Sequence, residues 1–366
     1  MELGWPAYAG AFAVSLGLSW FLTPLMLRLA LHLQVFDEPA ERKSHDSPVP
    51  YLGGVAIAGA FAVTVTAAAV SVGPGREVRA LVILLLTGLL LAAVGLWDDL
   101  RSIGAGPRLV VEVAAGFVVW AVGSGSALPG PDWLDLLVTL VWVVGVTNAF
   151  NLLDNMDGLS AGVAVIAAAS FFAIAAANGQ YLIAAFAAAL AGCAAGFLRH
   201  NFFPARIYMG DAGSLFIGFL LSVIGLRLRL IDAPRYVALF VPVVVLGVAL
   251  FDTTLVTINR LRHGRSPLSG GRDHTSHRLV WVGLPVPVAV GLIYATALTL
   301  GWLGLLLSRL DQTSGLMLAG FVVVAGACGL TVLSVVPVYE NSRQRQSMLR
   351  LVRGHEVEPD SEVAAS

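Results

Sequence analysis

Charged residues are scarce in this sequence. Of its 366 residues, 12% are charged and 57% are hydrophobic, whereas a soluble domain carries about 25% charged residues. So few charges cannot cover the surface of a soluble protein of this length, which excludes an ordinary globular protein and a disordered chain. The formal net charge is −1. Because no basic excess is available to neutralise a phosphate backbone, a nucleic-acid-binding protein is excluded as well.

Cysteine is nearly absent. The two cysteines, Cys193 and Cys328, both lie in apolar runs, so we expect neither a disulfide framework nor a zinc site and interpret both as packing residues. A cleaved signal peptide is not expected either, since Glu2 precedes the first apolar run, no basic segment does, and the run is too long.

Long apolar runs dominate what is present. A helix needs about 20 apolar residues to cross a bilayer, and the short interruptions between runs are rich in Gly, Pro, Asp and Asn, as turns are. The sequence therefore predicts an all-α integral membrane protein, a polytopic bundle of about eleven transmembrane helices over residues 1–340. A charged tail, 341–366, is expected to follow in the cytoplasm. The eleven runs are 6–31, 51–72, 80–97, 108–124, 134–152, 159–177, 180–198, 213–230, 236–258, 280–307 and 314–338.

The distribution of Lys and Arg predicts the orientation. With the N-terminus outside, sixteen of these residues fall on the cytoplasmic side and six on the outer side. The positive-inside rule then favours N-out, C-in insertion in the plasma (inner) membrane of the cell.

The polar segments all fall on the predicted cytoplasmic face. They are residues 37–54, 98–108, 148–158, 201–214 and 252–278. Carboxylates within a membrane protein are costly and usually functional, so we predict one active site built from these five segments. The competing interpretation is a transporter or flippase for a phosphorylated solute. It predicts polar residues along the interiors of the spans, of which there are few.

Adjacent carboxylates end the third run, in GLWDDLRS. Asp98 and Asp99 repel one another unless a cation or proton is shared. They can be a solvated loop start, or one can handle a metal-bound phosphate while the other acts as base. Arg108, ten residues on, can equally bind a phosphate or anchor the helix at the interface.

A row of oxygen-bearing side chains occupies TNAFNLLDNMDGLSAG. Spacing of three places Asn148, Asn151, Asp154 and Asp157 near one helix face. Such oxygens are ligands that Mg²⁺ accepts, with substrate phosphates completing its shell. A helix cap and turn would explain Asp157 but not the whole row.

Further polar residues leave alternatives open. Asp211, in YMGDAGSLFIG, can cap the eighth span or bind a metal. Asp252 can face the site or form a buried pair with an arginine, and Glu112 is expected to pair with Arg108 at i,i+4. The loop at 260–278 can be a positive-inside loop, a lipid-headgroup patch, a metal-binding histidine pair or an anion-binding loop, which we favour because arginine binds phosphate well. Its basic residues are Arg260, Arg262, His263, Arg265, Arg272, His274, His277 and Arg278.

Together these motifs resemble the polyprenyl-phosphate N-acetylhexosamine-1-phosphate transferases, of glycosyltransferase 4 type. The resemblance covers about residues 10–340. The matching stretches, in order, are RKSHDSPVPYLGG, GLWDDLRSIGAGPR, NAFNLLDNMDGLSAG, YMGDAGSLFIG and GRSPLSGGRDHTSHRL. The first is closer to the branch that uses UDP-GlcNAc than to the branch that transfers phospho-MurNAc-pentapeptide for peptidoglycan synthesis, which stays the alternative.

The resemblance implies an activity and a set of roles. N-acetylhexosamine-1-phosphate, GlcNAc-1-phosphate first of all, would pass from a UDP-sugar to undecaprenyl phosphate, releasing UMP and starting a cell-envelope polysaccharide or teichoic acid. Mg²⁺ or Mn²⁺ would be the cofactor and a second copy of the chain a candidate partner. The implied residues are Asp98 and Asp99 for catalysis, Asp98 as base; Asn151 and Asp211 for the metal; and Lys43, His45, Arg108, Asp154, Asp157, Arg265, His274, His277 and Arg278 for the substrates.

Overall fold

The computed structural model describes residues 4–37, 49–126, 128, 130–230, 234–267 and 269–338. Within these ranges the chain forms thirteen helices and one two-stranded antiparallel ribbon, β1 (Phe36–Asp37) with β2 (Val49–Pro50). The helices are α1 (Trp5–Leu33), α2 (Gly53–Val72), α3 (Arg76–Arg101), α4 (Ala105–Ala121), α5 (Asp132–Leu153), α6 (Leu159–Ala177), α7 (Tyr181–Asn201), α8 (Gly210–Arg227), α9 (Arg235–Val245), α10 (Gly247–Arg262), α11 (Thr275–Trp281), α12 (Val286–Leu307) and α13 (Gln312–Ser334).

The apolar helices are those of a multi-pass membrane protein. Nine of the helices in the described ranges are long and apolar enough to cross a bilayer, and the bent pair α9–α10 raises the number to ten. Every one of the eleven predicted runs overlaps a helix, but α4 has only 17 residues, fewer than the roughly 20 that cross a bilayer core. The count of eleven and the N-out, C-in orientation therefore stay predictions.

Two predicted runs are interrupted in the structure, contrary to expectation. The run 236–258 bends by 76° between Val245 and Gly247. A proline inside α9 (Pro242) and a glycine at the start of α10 (Gly247) flank the bend, and both residue types favour kinks. The run 280–307 is divided between α11 and α12, since Gly283 adopts a φ of +105° and Pro285 precedes the first residue of α12.

The cysteines lie in different surroundings. Cys193 is fully buried on α7, as expected of a packing residue, but Cys328 is exposed on α13, contrary to the expectation that it is a packing residue. The close packing around Cys193 comes from small neighbours. A Cβ added at Gly192 would stand 2.1 Å from Ser15 Oγ and one at Gly196 would stand 2.4 Å from Leu16 O, so the glycines allow α7 to approach α1 closely.

Helix α8 is the most buried of the long helices and runs antiparallel to α3. Asp99, near the end of α3, accepts hydrogen bonds from the start of α8, whereas Glu77, at the start of α3, pairs with Arg227 at the end of α8. The bundle therefore has two opposite ends. We call them the Asp211 end and the Arg227 end, after the residues of α8 that mark them.

Candidate active site

The first turn of α8 is held by a carboxylate from another helix. Asp99 accepts from the backbone N–H groups of Asp211 (2.9 Å) and Ala212 (3.1 Å), which caps the positive end of the helix. Gly210 leaves room for this contact, since it has a φ of +66° and a Cβ there would stand 2.5 Å from Asp99 Oδ2. The sequence left capping of this helix as one role for Asp211, but Asp99 fills that role. The Asp211 side chain can therefore make other contacts.

The Asp211 carboxylate meets a second carboxylate at one guanidinium group. Arg108 Nη1 donates to Asp98 Oδ2 at 2.8 Å and also to Asp211 Oδ2. The other oxygen of Asp98 accepts from the backbone N–H of Gly104 at 3.1 Å. We call Asp98, Arg108 and Asp211 the acid–arginine cluster. Its side chains are 11%, 17% and 28% exposed, so solvent and ligands can reach it.

Asn151 connects this cluster to the last turn of α5. Its amide nitrogen donates to Asp211 Oδ1 at 2.8 Å and to Ser214 Oγ at 3.0 Å. The structure thus brings Asp98, Asp99, Arg108, Asn151 and Asp211 together from α3, α4, α5 and α8. All five residues were singled out from the sequence, although 113 positions separate the first from the last.

The expected row of four side chains on one face is not formed. Helix α5 ends at Leu153, Asp154 is its C-cap, and Asp157 lies beyond it, so only Asn148 and Asn151 share the helix. Asn148 donates to Glu112 Oε2. The predicted i,i+4 pair of Glu112 with Arg108 is therefore wrong, because both partners are engaged by other residues.

Asp157 holds the segment that leads into α8. It accepts from the backbone N–H of Ala205 at 2.8 Å and from the Tyr208 hydroxyl at 3.2 Å. The chain before α2 lies on the same segment, since Gly53 N donates to Tyr208 O at 3.0 Å. Tyr51 also donates to the backbone oxygen of Asp99 at 2.6 Å. Tyr51 and Tyr208 were missed in the sequence, where a lone tyrosine carries no pattern.

Lys43 and His45 lie outside the described residues. The described chain on either side, β1 and β2, pairs as a ribbon, and Pro50 O accepts from Tyr208 N at 2.9 Å. The described residues on both sides of Lys43 and His45 therefore lie at the Asp211 end.

The histidine loop reaches the same end through α10. His274 Nδ1 lies 2.7 Å from Asp252 Oδ2, and Thr275 N donates to Asp252 Oδ1 at 2.6 Å. Asp252 is thus in a buried pair, but with a histidine rather than an arginine. Ser276, a residue that the sequence did not single out, donates to Asn155 Oδ1 at 2.6 Å and so ties the loop to the segment after α5.

His277 lies beside this pair, with its ring 5.8 Å from that of His274. Its Nδ1 is buried and, within the described part of the chain, has no hydrogen-bond partner. Burial, together with the neighbouring His274, lowers the pKa of His277 to about 4. At neutral pH the ring is uncharged, so it can offer a hydrogen bond but not a positive charge.

Arg278 does not fit the substrate-binding role that the resemblance implied. It is 1% exposed and donates to the backbone oxygens of Asp273 (2.9 Å), Leu333 (2.7 Å) and Val336 (3.0 Å). These contacts attach α11 to the end of α13, which is a structural task. Arg265, in contrast, is exposed on the loop.

The site contains oxygen donors of the kind that Mg²⁺ binds. No group of three His, Cys, Asp or Glu side chains in the described ranges is placed to hold a metal ion alone. Asp98 and Asp211 nevertheless converge on one cationic nitrogen, and Asn151 adds an amide. This donor set fits a Mg²⁺ ion that is shared with substrate phosphates, which is the usual form of such sites.

Known proteins match most of the chain. The family model described as "Glycosyl transferase family 4" matches residues 81–229. A protein of Bacillus subtilis (strain 168), named "Probable undecaprenyl-phosphate N-acetylglucosaminyl 1-phosphate transferase", is 31% identical over 293 residues, which are 78% of this chain and 80% of the relative. The chain belongs to glycosyl transferase family 4.

Two further relatives of this family carry different names. Decaprenyl-phosphate N-acetylglucosaminephosphotransferase of Mycolicibacterium smegmatis is 30% identical over 79% of this chain and 78% of its own. Phospho-N-acetylmuramoyl-pentapeptide-transferase of Bacillus mycoides is 31% identical over 63% of this chain and 76% of its own length.

The glycosyl transferase family 4 match begins in α3 and ends just after α8. It therefore includes the acid–arginine cluster, Asp99 and Asn151. The Asp252–His274 pair lies after the match, although it contacts the same end of the bundle.

Proposed function

We propose that this chain transfers N-acetylglucosamine-1-phosphate from UDP-N-acetylglucosamine to undecaprenyl phosphate and releases UMP, as a first step of cell-envelope polysaccharide or teichoic acid synthesis. One observation carries the proposal. Four helices of an apolar bundle bring two aspartates, an arginine and an asparagine together at one end. Family membership and the names of the relatives support the same reaction class.

The location follows from the substrates. A lipid-linked phosphate cannot leave the membrane plane, and a charged nucleotide sugar stays in the cytosol. The reaction therefore belongs at an interface, and we place the Asp211 end at the cytoplasmic face of the plasma membrane, in accord with the distribution of Lys and Arg. A homodimer in that membrane is a further expectation, which cross-linking through the exposed Cys328 on α13 can test.

The transfer is a displacement at phosphorus. An oxygen of the lipid phosphate attacks the β-phosphorus of the UDP-sugar, the bond from that phosphorus to the bridging oxygen breaks, and UMP leaves with the electron pair. Two phosphates at a few Å repel by several kcal/mol at the dielectric of a protein surface. Arg108 offsets this repulsion and orients the acceptor phosphate, which is bidentate chemistry that arginine performs well.

Asp98 is the better candidate for the base. Both oxygens of Asp99 accept backbone N–H groups of α8, so Asp99 positions Asp211 rather than touching a substrate. One oxygen of Asp98 lies at the accessible Arg108. Because the second pKa of a phosphate is about 6, most of the acceptor is already a dianion at neutral pH. The contribution of the base is then modest, and positioning dominates.

Asp211 and Asn151 would hold Mg²⁺ or Mn²⁺, which supplies positive charge to the diphosphate and to the departing UMP. For the donor, we assign the uracil side to Asp154 and Asp157, and the diphosphate and sugar to Arg265, His274 and His277. Lys43 and His45 complete the basic surroundings. The Asp252–His274 contact fixes the orientation of one of these rings.

The decisive experiment measures UMP release by purified protein in detergent with undecaprenyl phosphate. UDP-N-acetylglucosamine, UDP-N-acetylgalactosamine and UDP-MurNAc-pentapeptide are compared as donors. Turnover with UDP-N-acetylglucosamine is expected, and exclusive use of the pentapeptide would instead assign the activity named for the Bacillus mycoides relative. EDTA is expected to stop turnover and Mg²⁺ to restore it. Full turnover in excess chelator would contradict the metal assignment, and absence of UMP from every donor would contradict the reaction.

A further inference from the structure

A second basic site lies at the Arg227 end, far from the residues of the proposed reaction. A pocket of about 510 Å³ opens there, and its charged lining is Arg76, Glu77, Arg227 and Arg229. Three arginines face one glutamate in the described lining, so the pocket has an excess of positive charge. Arg76 and Arg229 are exposed, whereas Arg227 is 9% exposed.

The hydrogen bonds of Arg227 do not involve its Nε. Its Nη1 donates to Ser124 Oγ at 2.6 Å and its Nη2 pairs with Glu77. Its Nε is buried and, in the described ranges, has no partner. A buried guanidinium donor without an acceptor costs free energy, and an anion in the pocket would offset part of this cost through its attraction to the guanidinium charge.

An apolar groove adjoins this pocket. It measures about 390 Å³, runs between α1, α2, α3 and α7, and is lined by apolar side chains except for Thr64 and Ser71. Val72 and Leu182 line both cavities, so the polar pocket and the apolar groove are neighbours. Their combined shape offers a place for a charged head and for part of a hydrocarbon chain.

The position of the pocket along the bundle fits the opposite surface of the bilayer. On α3, Arg76 and Asp98 are separated by 22 residues, which is roughly 33 Å at 1.5 Å per residue. This is about the thickness of the hydrocarbon core. If the acid–arginine cluster lies at one interface, the pocket lies at the other, and the groove extends from there toward the membrane interior.

We propose that the Arg227 end binds an anionic glycerophospholipid of the opposite leaflet. Its phosphodiester lies among Arg76, Arg227 and Arg229, and one acyl chain enters the groove. A glycerol headgroup can donate a hydroxyl to Glu77, which is 65% exposed. The excess of arginine selects a lipid of net negative charge, and the neighbouring apolar groove selects a lipid over free phosphate. This site is separate from the proposed reaction and does not depend on it.

Native mass spectrometry tests the headgroup contacts. Protein released from vesicles of phosphatidylglycerol and phosphatidylcholine is compared with the double variant Arg76→Gln/Arg229→Gln, both exposed positions. Wild type is expected to retain phosphatidylglycerol selectively, and the variant to bind it about tenfold more weakly. Arg309→Gln changes an exposed arginine that lines neither cavity and should retain the lipid. Equal retention by the double variant would overturn the proposal, as would equal retention of the two lipids by wild type.

A matched pair of glycines tests the groove. Gly10 and Gly17 both lie on α1 with open space where a Cβ would stand, but only Gly10 lines the groove. Gly10→Phe is expected to reduce phosphatidylglycerol retention, whereas Gly17→Phe is not. If inorganic phosphate displaces the lipid at millimolar concentration and Gly10→Phe has no effect, the site is a phosphate site without a lipid chain. Preferential retention of undecaprenyl phosphate would also overturn the assignment. UMP release, measured for the arginine variants and for the glycine variants, shows separately whether the proposed reaction holds.

Discussion

Two charged clusters lie at the Asp211 end, and they differ in charge balance and in exposure. In the acid–arginine cluster, two carboxylates share one nitrogen of Arg108, with exposures from 11% to 28%. In the neighbouring loop, Arg260 and Asp273 are 1% and 2% exposed and form two parallel hydrogen bonds of 2.7 and 2.8 Å. The pair is balanced and satisfied, as a buried ion pair must be. The acid–arginine cluster has more negative than positive charge, as expected of a site that binds a cation.

The largest effect on transfer is expected from a change in the acid–arginine cluster. Asp211→Asn removes a charge without changing size, and we expect transfer to fall by at least about 10³-fold because the proposed Mg²⁺ would lose its carboxylate ligand, and with it the diphosphate would lose the positive charge of the ion. The helix should remain capped, since Asp99 bonds to the backbone of α8 rather than to the Asp211 side chain. Transfer is followed as UMP release, and folding by thermal unfolding in detergent. Asp132→Asn, an exposed carboxylate in the first turn of α5, is the control. Near wild-type turnover in Asp211→Asn would remove this residue from the proposed site.

The buried pair is expected to respond in stability instead. Arg260→Met leaves Asp273 buried without its partner, which should lower the free energy of unfolding by about 3–5 kcal/mol. The double variant Arg260→Met/Asp273→Leu should recover much of that loss, because neither charge remains. Thermal unfolding of the three proteins gives the comparison. If the single and double variants lose the same stability, the pair does not hold the loop as described.

Much of this comparison could be predicted from the sequence. Asp98, Asp99, Arg108, Asn151 and Asp211 stand out because a membrane protein has few charged or amide side chains, and those few carry information. The bundle was predictable for the same reason, since apolar runs of 20 residues have few alternative structures. Which carboxylate caps α8 was not predictable, because the cap comes from a helix 112 residues away.

The predictions that failed were local patterns that tertiary contacts overrode. Glu112 and Arg108 have the spacing of a helical ion pair, yet Asn148 and the two aspartates of the acid–arginine cluster lie closer to them. Arg278 has the appearance of a loop cation and is instead buried by α13, more than 50 residues later. Charge in a loop indicates polarity but not the direction in which the side chain points.

A smaller effect on transfer is expected where α2 packs against the start of α8, next to the acid–arginine cluster. A Cβ at Gly54 would stand 2.2 Å from the backbone nitrogen of Gly213, so Gly54→Ala must push α2 away from the first turns of α8. We expect a tenfold to hundredfold loss of transfer, because Asp211 would be displaced from its productive position. Gly59→Ala, on the same helix, meets only Leu22 Cδ1 at 3.9 Å and should be nearly silent. UMP release at saturating donor measures both, and equal effects would show that the close approach is unimportant.

The smallest expected effect concerns the pH dependence of stability, at His277 in the loop that contains the Arg260–Asp273 pair. His277 is half-buried, and burial and His274 lower its pKa to about 4 from an ordinary value near 6.5. Between pH 6.5 and 4 the unfolded chain therefore binds a proton that the folded chain does not, so the contribution of His277 to stability is present above pH 6.5 and is lost as pH falls through this window. His277→Gln should flatten the dependence of the unfolding temperature on pH between 7 and 5, and the same substitution at the exposed His32 should not. An unchanged slope in His277→Gln would mean that the folded loop does not hold this ring in the uncharged state.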